Sequence, residues 1–388
     1  MSSIKIPEEI VKQIQLKKDD EIYIQVHRQG LTIQTEETVN ANQTVNKSSF
    51  KLATVLSVLT FITTLLIFSL NNVRLVSIRG SFSISNVTLL INALFGIFVF
   101  ALSYHRVQKL IHDTESKLMN WRNLIVLTIA ITFVLMLMLY FFFYVVNVAF
   151  KSAHLDIFTS SLLIAGFTWV IQDTIYKTAP NIDFNAIITL LSFMFIGGII
   201  FTMLTNSDDS WWQYNFSYLG TSKANLPILF NFTFVFSGIT MIASVDYLFN
   251  WIKISTKKLD WKMWTIRILM TLFAINLSLI GVFANNGNGW QHHIHDRIAM
   301  YLFYIVLILM ISSFFLLPGL SKEFIITSSV EGALMAVTFI IFSITSYLSL
   351  TAFEMIEFAI AFTWLIQLLQ NLRRFADYGN QVYKVKIK

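Results

Sequence analysis

The densest group of chemically versatile side chains lies in the stretch Trp290-Gln-His292-His293-Ile-His295-Asp296-Arg297. Neutral imidazole nitrogens and carboxylate oxygens suit zinc or a similar divalent ion. Held at a membrane surface, such an ion could activate water or grip a lipid phosphate. His-His-x-His-Asp does not complete a ligand set by itself. The missing ligands would have to come from another segment, and Asp208 and Asp209 in the stretch 206–227 are the candidates by type. The plainer reading of the same residues is a solvated interfacial cluster that titrates near pH 6.5 and binds nothing. No catalytic residue can be assigned, and no nucleotide-binding loop, serine triad or redox motif is visible. A divalent metal is therefore the one cofactor the residues point to, and none is certain.

A second group consists of carboxylates within or beside apolar segments: Asp173, Asp246, Glu331, Glu354 and Glu357. Burying a carboxylate at mid-bilayer costs at least about 2.5–3.5 kcal/mol, so each is expected to face protein or water. Asp173 and Asp246 fall near helix ends, within reach of headgroups. Asp156 and Asp296 each stand where a helix is expected to open, and there a carboxylate caps free N–H groups.

The elements that position these residues are set by composition. Hydrophobic residues make up 55% of the 388-residue chain, charged residues 13%, and Phe occurs 36 times. So much apolar surface needs lipid as its solvent. The absence of Cys removes disulfides, thiolate metal sites and thiol nucleophiles. Segments of about 20 mainly apolar residues, the length a bilayer core requires, lie near 50–70, 85–104, 123–148, 156–176, 185–205, 226–250, 263–284, 297–316, 330–350 and 352–371. The fold class is thus an all-α polytopic membrane protein of about ten transmembrane helices, the last two forming a tight hairpin. With the N-terminus inside, every Lys and Arg except Arg74, Arg79, Lys151, Lys223 and Arg297 falls on the cytoplasmic side. Both termini are then cytoplasmic. Trp211, Trp212, Trp251, Trp261 and Trp290 take headgroup-level positions.

A tandem four-helix repeat is expected from self-comparison. Phe61–Asn72 resembles Phe195–Asn206, Asn92 matches Asn231, Asn120-Trp-Arg122 matches Asp260-Trp-Lys262, and Asp156 matches Asp296. The offset stays at about 134–140 residues. An even helix number gives both copies the same orientation. The histidines do not recur, since His292, His293 and His295 align with Ser152, Ala153 and Leu155.

Ahead of the first span, Pro7 opens a short helix and Lys18-Asp19-Asp20 turns. Ile22, Ile24 and Val26 alternate as a strand, Gln29-Gly30 turns again, and Leu31 and Ile33 form a second strand. The Ile-Pro-x-x-Ile entry, the Leu-x-x-x-Asp turn and the final hairpin with Gly resemble the swapped-hairpin module of the AbrB, MazE and SpoVT proteins. That resemblance implies a cytoplasmic homodimer through residues 1–36, with DNA as a further partner. Five basic residues against five acidic ones within 1–35 leave no clear positive excess for phosphates. The organisation expected is this module at 1–36, a polar linker at 37–49, the first repeat at 50–178, a six-helix unit at 179–372 and a basic cytoplasmic tail at 373–388.

Phe216-Ser-Tyr-Leu-Gly-Thr221, Pro227-Ile-Leu-Phe-Asn231, Gly238, Gly281-Val-Phe283 and His293–Asp296 resemble the bacterial membrane family known as domain of unknown function 998. More distantly they are similar to Frag-type membrane proteins, some of them tied to lipid-anchor remodelling. The resemblance implies a six-helix fold in the bacterial cytoplasmic membrane and carries no activity. Three functions stay open. They are a membrane-tethered regulator or sensor that answers a lipid or small molecule at the outer face, a metal-dependent lipid-directed enzyme at that face, and a transporter.

Overall fold

The computed structural model describes residues 22–27, 30–108, 121–150, 153–208, 210–256, 258–286 and 289–377. The expected helix near Pro7, the turn at Lys18–Asp20, Asp209 and the tail beyond Asp377 lie outside the described residues. The described residues are all-α apart from two small antiparallel sheets, the hairpin of β1 (Ile22–His27) with β2 (Gly30–Thr35) and the pair β3 (Leu75–Ser77) with β4 (His154–Asp156). In the first, Ile24 pairs with Ile33 and Val26 with Leu31 in antiparallel register.

The described residues divide into two compact units, one within 1–117 and 142–181, the other within 118–141 and 182–379. The first unit contains α1 (Glu36–Leu70), α2 (Ile84–Gln108), the end of α3 (Trp121–Ala149) and α4 (Ile157–Thr178). The polar linker expected at 37–49 is helical and runs into the first span without a break. No Gly or Pro stands between Glu36 and Leu70, so nothing ends the helix where the polar residues begin.

Among the described residues nine helices are long and apolar enough to cross a membrane, and α4 is not one of them. Its packing supplies what its composition lacks. Ser49 Oγ donates to Asp173 at 2.6 Å, Trp169 Nε1 to Thr54 at 3.2 Å and Ser57 Oγ to the Ala165 carbonyl at 2.8 Å, and the ring of Phe61 meets Phe158 edge-on. Residue numbers rise along α1 as they fall along α4, so the two are antiparallel over nearly the whole of α4. The polar residues of α4 turn inward. Asn92 Nδ2 donates to Thr168, and Gln172 Nε2 donates back to Asn92 Oδ1 at 3.0 Å. Asp156 caps α4 by accepting from Phe158 N and Thr159 N, and the hydroxyl and N–H of Thr159 hold its carboxyl below the usual range. A carboxylate of lowered pKa contributes stability at neutral pH and loses it as pH falls through that lowered value. Asp156→Asn, which keeps an acceptor at the cap, should therefore show a shallower acid-side loss of melting temperature than the unaltered chain.

The second unit holds the start of α3, then α5 (Phe184–Thr205), α6 (Pro227–Thr256), α7 (Trp261–Val282), α8 (Trp290–Leu316), α9 (Lys322–Ile340, continued by a π-turn at Ile341–Thr345) and α10 (Leu350–Asp377). Asp183, Asp260 and Ser321 cap α5, α7 and α9. The last hairpin begins earlier than the apolar run implies, at Lys322 rather than near 330. Gly319 in a left-handed conformation and the Ser321 cap fix the start, while Thr327, Ser328 and Glu331 mask it in the hydropathy pattern. Its reversal uses Ser346, also left-handed. Helices α6 and α7 cross at glycines. A Cβ on Gly238 would overlap the Ala274 carbonyl and come 2.7 Å from the Ser278 nitrogen, and one on Gly281 would overlap the Asn231 carbonyl. Backbone cannot step aside as a side chain can. Gly238→Ala should therefore cost about 1–3 kcal/mol, read as a lower melting temperature in detergent.

Candidate functional site

One end of the second unit carries the connections 206–226, 283–289 and 346–349, between α5 and α6, α7 and α8, and α9 and α10. Just beneath that end lies a cavity of about 330 Å³. Helices α5 to α10 all contribute to it: Phe195 from α5, Phe234 from α6, Phe273 to Ile280 from α7, Ala299 to Val306 from α8, Met335 and Phe339 from α9, and Leu350 to Phe362 from α10. The walls are largely aromatic and brace one another. Phe195 stacks on Phe362 at 4.6 Å between centroids, Phe234 meets Phe358 at 5.6 Å, and Phe303 stacks on Phe339 at 5.9 Å. Along α10 the lining extends about 18 Å, from Leu350 to Phe362, at 1.5 Å per residue.

The polar groups gather at the loop end. A short 3-10 helix, Phe216–Gly220, brings Ser217 to the cavity wall. This turn is pinned from three sides. Phe216 N donates to Glu354 Oε2 at 2.8 Å, Asn231 Nδ2 donates to the Gly220 carbonyl at 2.9 Å, and any side chain on Gly220 would strike Phe230 and Asn231. His295, 3% exposed, reaches Ser217 Oγ with Nε2 at 2.9 Å and the Phe283 carbonyl with Nδ1 at 2.6 Å. A carbonyl only accepts, so Nδ1 carries the proton, and Nε2 is left as the acceptor of the Ser217 hydroxyl in the neutral ring. Glu354 lines the cavity beside this pair. Glu357 lies one turn deeper, 6% exposed, and is bonded to Thr338.

The clustered histidines have separate surroundings. His292 contacts Asn285 through Nδ1 and Asp296 at 3.4 Å through Nε2. His293 is exposed, and His295 points inward to Ser217 and Phe283. Successive helical residues lie about 100° apart, so neighbours in sequence diverge in space. Asp208 accepts from Tyr218 Oη at 3.0 Å, where burial and that carboxylate hold the phenol above its ordinary pKa. Among the described residues no three His, Asp or Glu come together as a metal site. Asp296 is not the cap expected of it. The helix already opens at Trp290 behind Gly289, because nothing after that glycine breaks it, and Asp296 sits in the second turn.

The other carboxylates have partners. Asp173 accepts from Ser49 and Lys177, and Asp246 pairs with Arg267 at 2.6 Å. Gln367 Nε2 donates to Glu331 at 2.9 Å across the α9–α10 hairpin.

Residues 186–370 match the family model described as Protein of unknown function (DUF998). The matched region begins in the first turn of α5 and ends within α10, so it contains the cavity and all of its lining. No curated protein and no solved structure matches the chain.

Ser217 and His295 were not paired by their sequence positions, which lie 78 residues apart. A signal for His295 did exist. It starts the stripe His295, Ile298, Leu302, Val306, Leu309, whose spacing marks the buried face of α8. His293 falls off that stripe.

Proposed function

We propose that the second unit binds a single-chain amphiphile, with its hydrocarbon tail among the aromatic walls and its polar head against Ser217 and Glu354, where His295 backs Ser217. The observation that carries this reading is the polarity of the cavity. Its depth is lined mainly by Phe, Leu, Ile and Met side chains, with Tyr304 on α8, while Ser217 and Glu354 lie at the loop end and Glu357 one turn deeper. Apolar pockets with a few convergent polar groups are the usual form of small-molecule sites, and about 300–1,000 Å³ is their usual size. The excess of Lys and Arg on the opposite face supports a reading in which the cavity opens to the outer leaflet of a bacterial plasma membrane, with ten crossings and both termini cytoplasmic. Titration of the detergent-purified chain with a monoacyl phospholipid, followed by native mass spectrometry, should give one saturable site per chain. Binding that rises without saturation, no faster than for a two-chain phospholipid, would contradict it.

The β1–β2 hairpin supports a second, compatible reading. A hairpin joined by an unbroken helix to the first span suits a cytoplasmic module of the AbrB kind, through which two copies pair and a bound amphiphile is reported to a regulator or to DNA. Deleting residues 1–35 should then convert a dimer in detergent to a monomer. A dimer unchanged by the deletion would exclude this role for the hairpin.

A further inference from the structure

The geometry points to acyl-transfer chemistry at Ser217, with His295 as its general base and the ester of a single-chain amphiphile as substrate; this rests on the binding reading above. Three independent features converge. Ser217 lines the cavity, so a molecule held there lies against this residue. Its partner nitrogen, His295 Nε2 at 2.9 Å, is the unprotonated one because Nδ1–H is committed to the Phe283 carbonyl. A fixed tautomer, a nucleophile within hydrogen-bond reach and a third group orienting the base are the recurring elements of serine activation, and here a backbone carbonyl fills the orienting role. The turn bearing Ser217 is also held rigidly, by Glu354 at Phe216 N and by Asn231 at the Gly220 carbonyl.

The steps balance with water as the only co-reactant. Ser217 Oγ forms a bond to the ester carbonyl carbon as its proton passes to His295 Nε2. Collapse of the tetrahedral intermediate breaks the bond from that carbon to the leaving alkoxide, which takes the proton from His295. The acyl chain is then esterified to Ser217 with its tail in the cavity. Water attacks the same carbonyl and gives its proton to His295, and the Ser217 oxygen leaves and recovers that proton, releasing a fatty acid. Nothing is oxidised or reduced. Neither Glu354 nor Glu357 is needed in these steps. Glu354 is a positioning residue that fixes the turn.

The test is a mechanism-based label. The full chain in detergent, exposed to a long-chain alkyl fluorophosphonate, should gain one adduct by intact mass, mapped by peptide sequencing to Ser217. Ser217→Ala should gain none. His295→Ala should label more slowly by about 100-fold or more, the size of a lost general base. A merely structural Ser217–His295 bond would leave the serine unlabelled, and labelling of the unaltered chain does not depend on any variant folding. An unmodified Ser217 in protein that binds monoacyl phospholipid one to one would overturn the chemistry and leave the binding reading standing. An unmodified Ser217 in protein that binds none would overturn both.

Discussion

Ala361→Trp is expected to weaken binding of a monoacyl phospholipid by at least about tenfold, with the melting temperature unchanged or raised. Ala361 lines the cavity from α10, between Phe358 and Phe362, so an indole there occupies space that a tail would otherwise fill. Each methylene returned to water costs about 0.8 kcal/mol. Displacing only two of them therefore already exceeds the 1.4 kcal/mol that a tenfold change in affinity represents. Filling an existing void is commonly neutral or stabilising to the fold. Val330→Trp is the matched control. That side chain is 53% exposed on α9 and lines no part of the cavity, so affinity should stay as in the unaltered chain. Native mass spectrometry on both variants measures the difference. Equal losses in the two would mean that the tail binds elsewhere.

Glu354→Ala should destabilise the chain by about 1–3 kcal/mol, the cost of leaving a buried donor without its partner. The donor is Phe216 N, whose bond to Glu354 Oε2 holds the turn that carries Ser217. The melting temperature in detergent should fall, and affinity for the monoacyl phospholipid should fall with it, because the polar end of the cavity loses its form. Glu354→Gln keeps an acceptor of the same reach and should restore most of both. If Gln were as damaging as Ala, the charge of Glu354 rather than its hydrogen bond would be what the site requires.

The membrane class and the positions of most helices were legible because apolar length is itself the physical requirement for crossing a bilayer. The last hairpin and α4 show where that signal weakens. Thr327, Ser328 and Glu331 belong to a span, yet their partners, Gln367 and Trp364, stand on the facing helix, and only the pairing makes them tolerable there. Helix α4 is similar: its Thr168 and the Nε2 of its Gln172 bond to Asn92, far away in sequence. The capping role of Asp296 failed because the sequence offers two starts for α8, and continuity behind Gly289 decides between them. At the site, type and spacing drew attention to His292, His293 and His295 as a unit, although a helix turns adjacent residues apart. Only His295 reaches a residue of the cavity wall, Ser217, by its place on the buried stripe of α8. Its partner Ser217 stood within the Phe216–Thr221 motif, but nothing there marked the serine itself. It gains its setting from Glu354 and Asn231, contributed by α10 and α6. The aromatic cavity was equally hidden, since its walls come from six helices and each Phe alone resembles a residue facing lipid.

The most direct test of the amphiphile site is to map contact with the tail itself. A monoacyl phospholipid carrying a photoactivatable diazirine near its terminal methyl would be bound to the purified chain, irradiated and located by peptide mass spectrometry. Crosslinks should concentrate deep in the cavity, on Phe195, Val306, Met335 and Phe362, and unlabelled monoacyl phospholipid should compete them away. Crosslinks confined to outward-facing residues such as Val330, Leu334 and Val337, undiminished by competitor, would contradict the account.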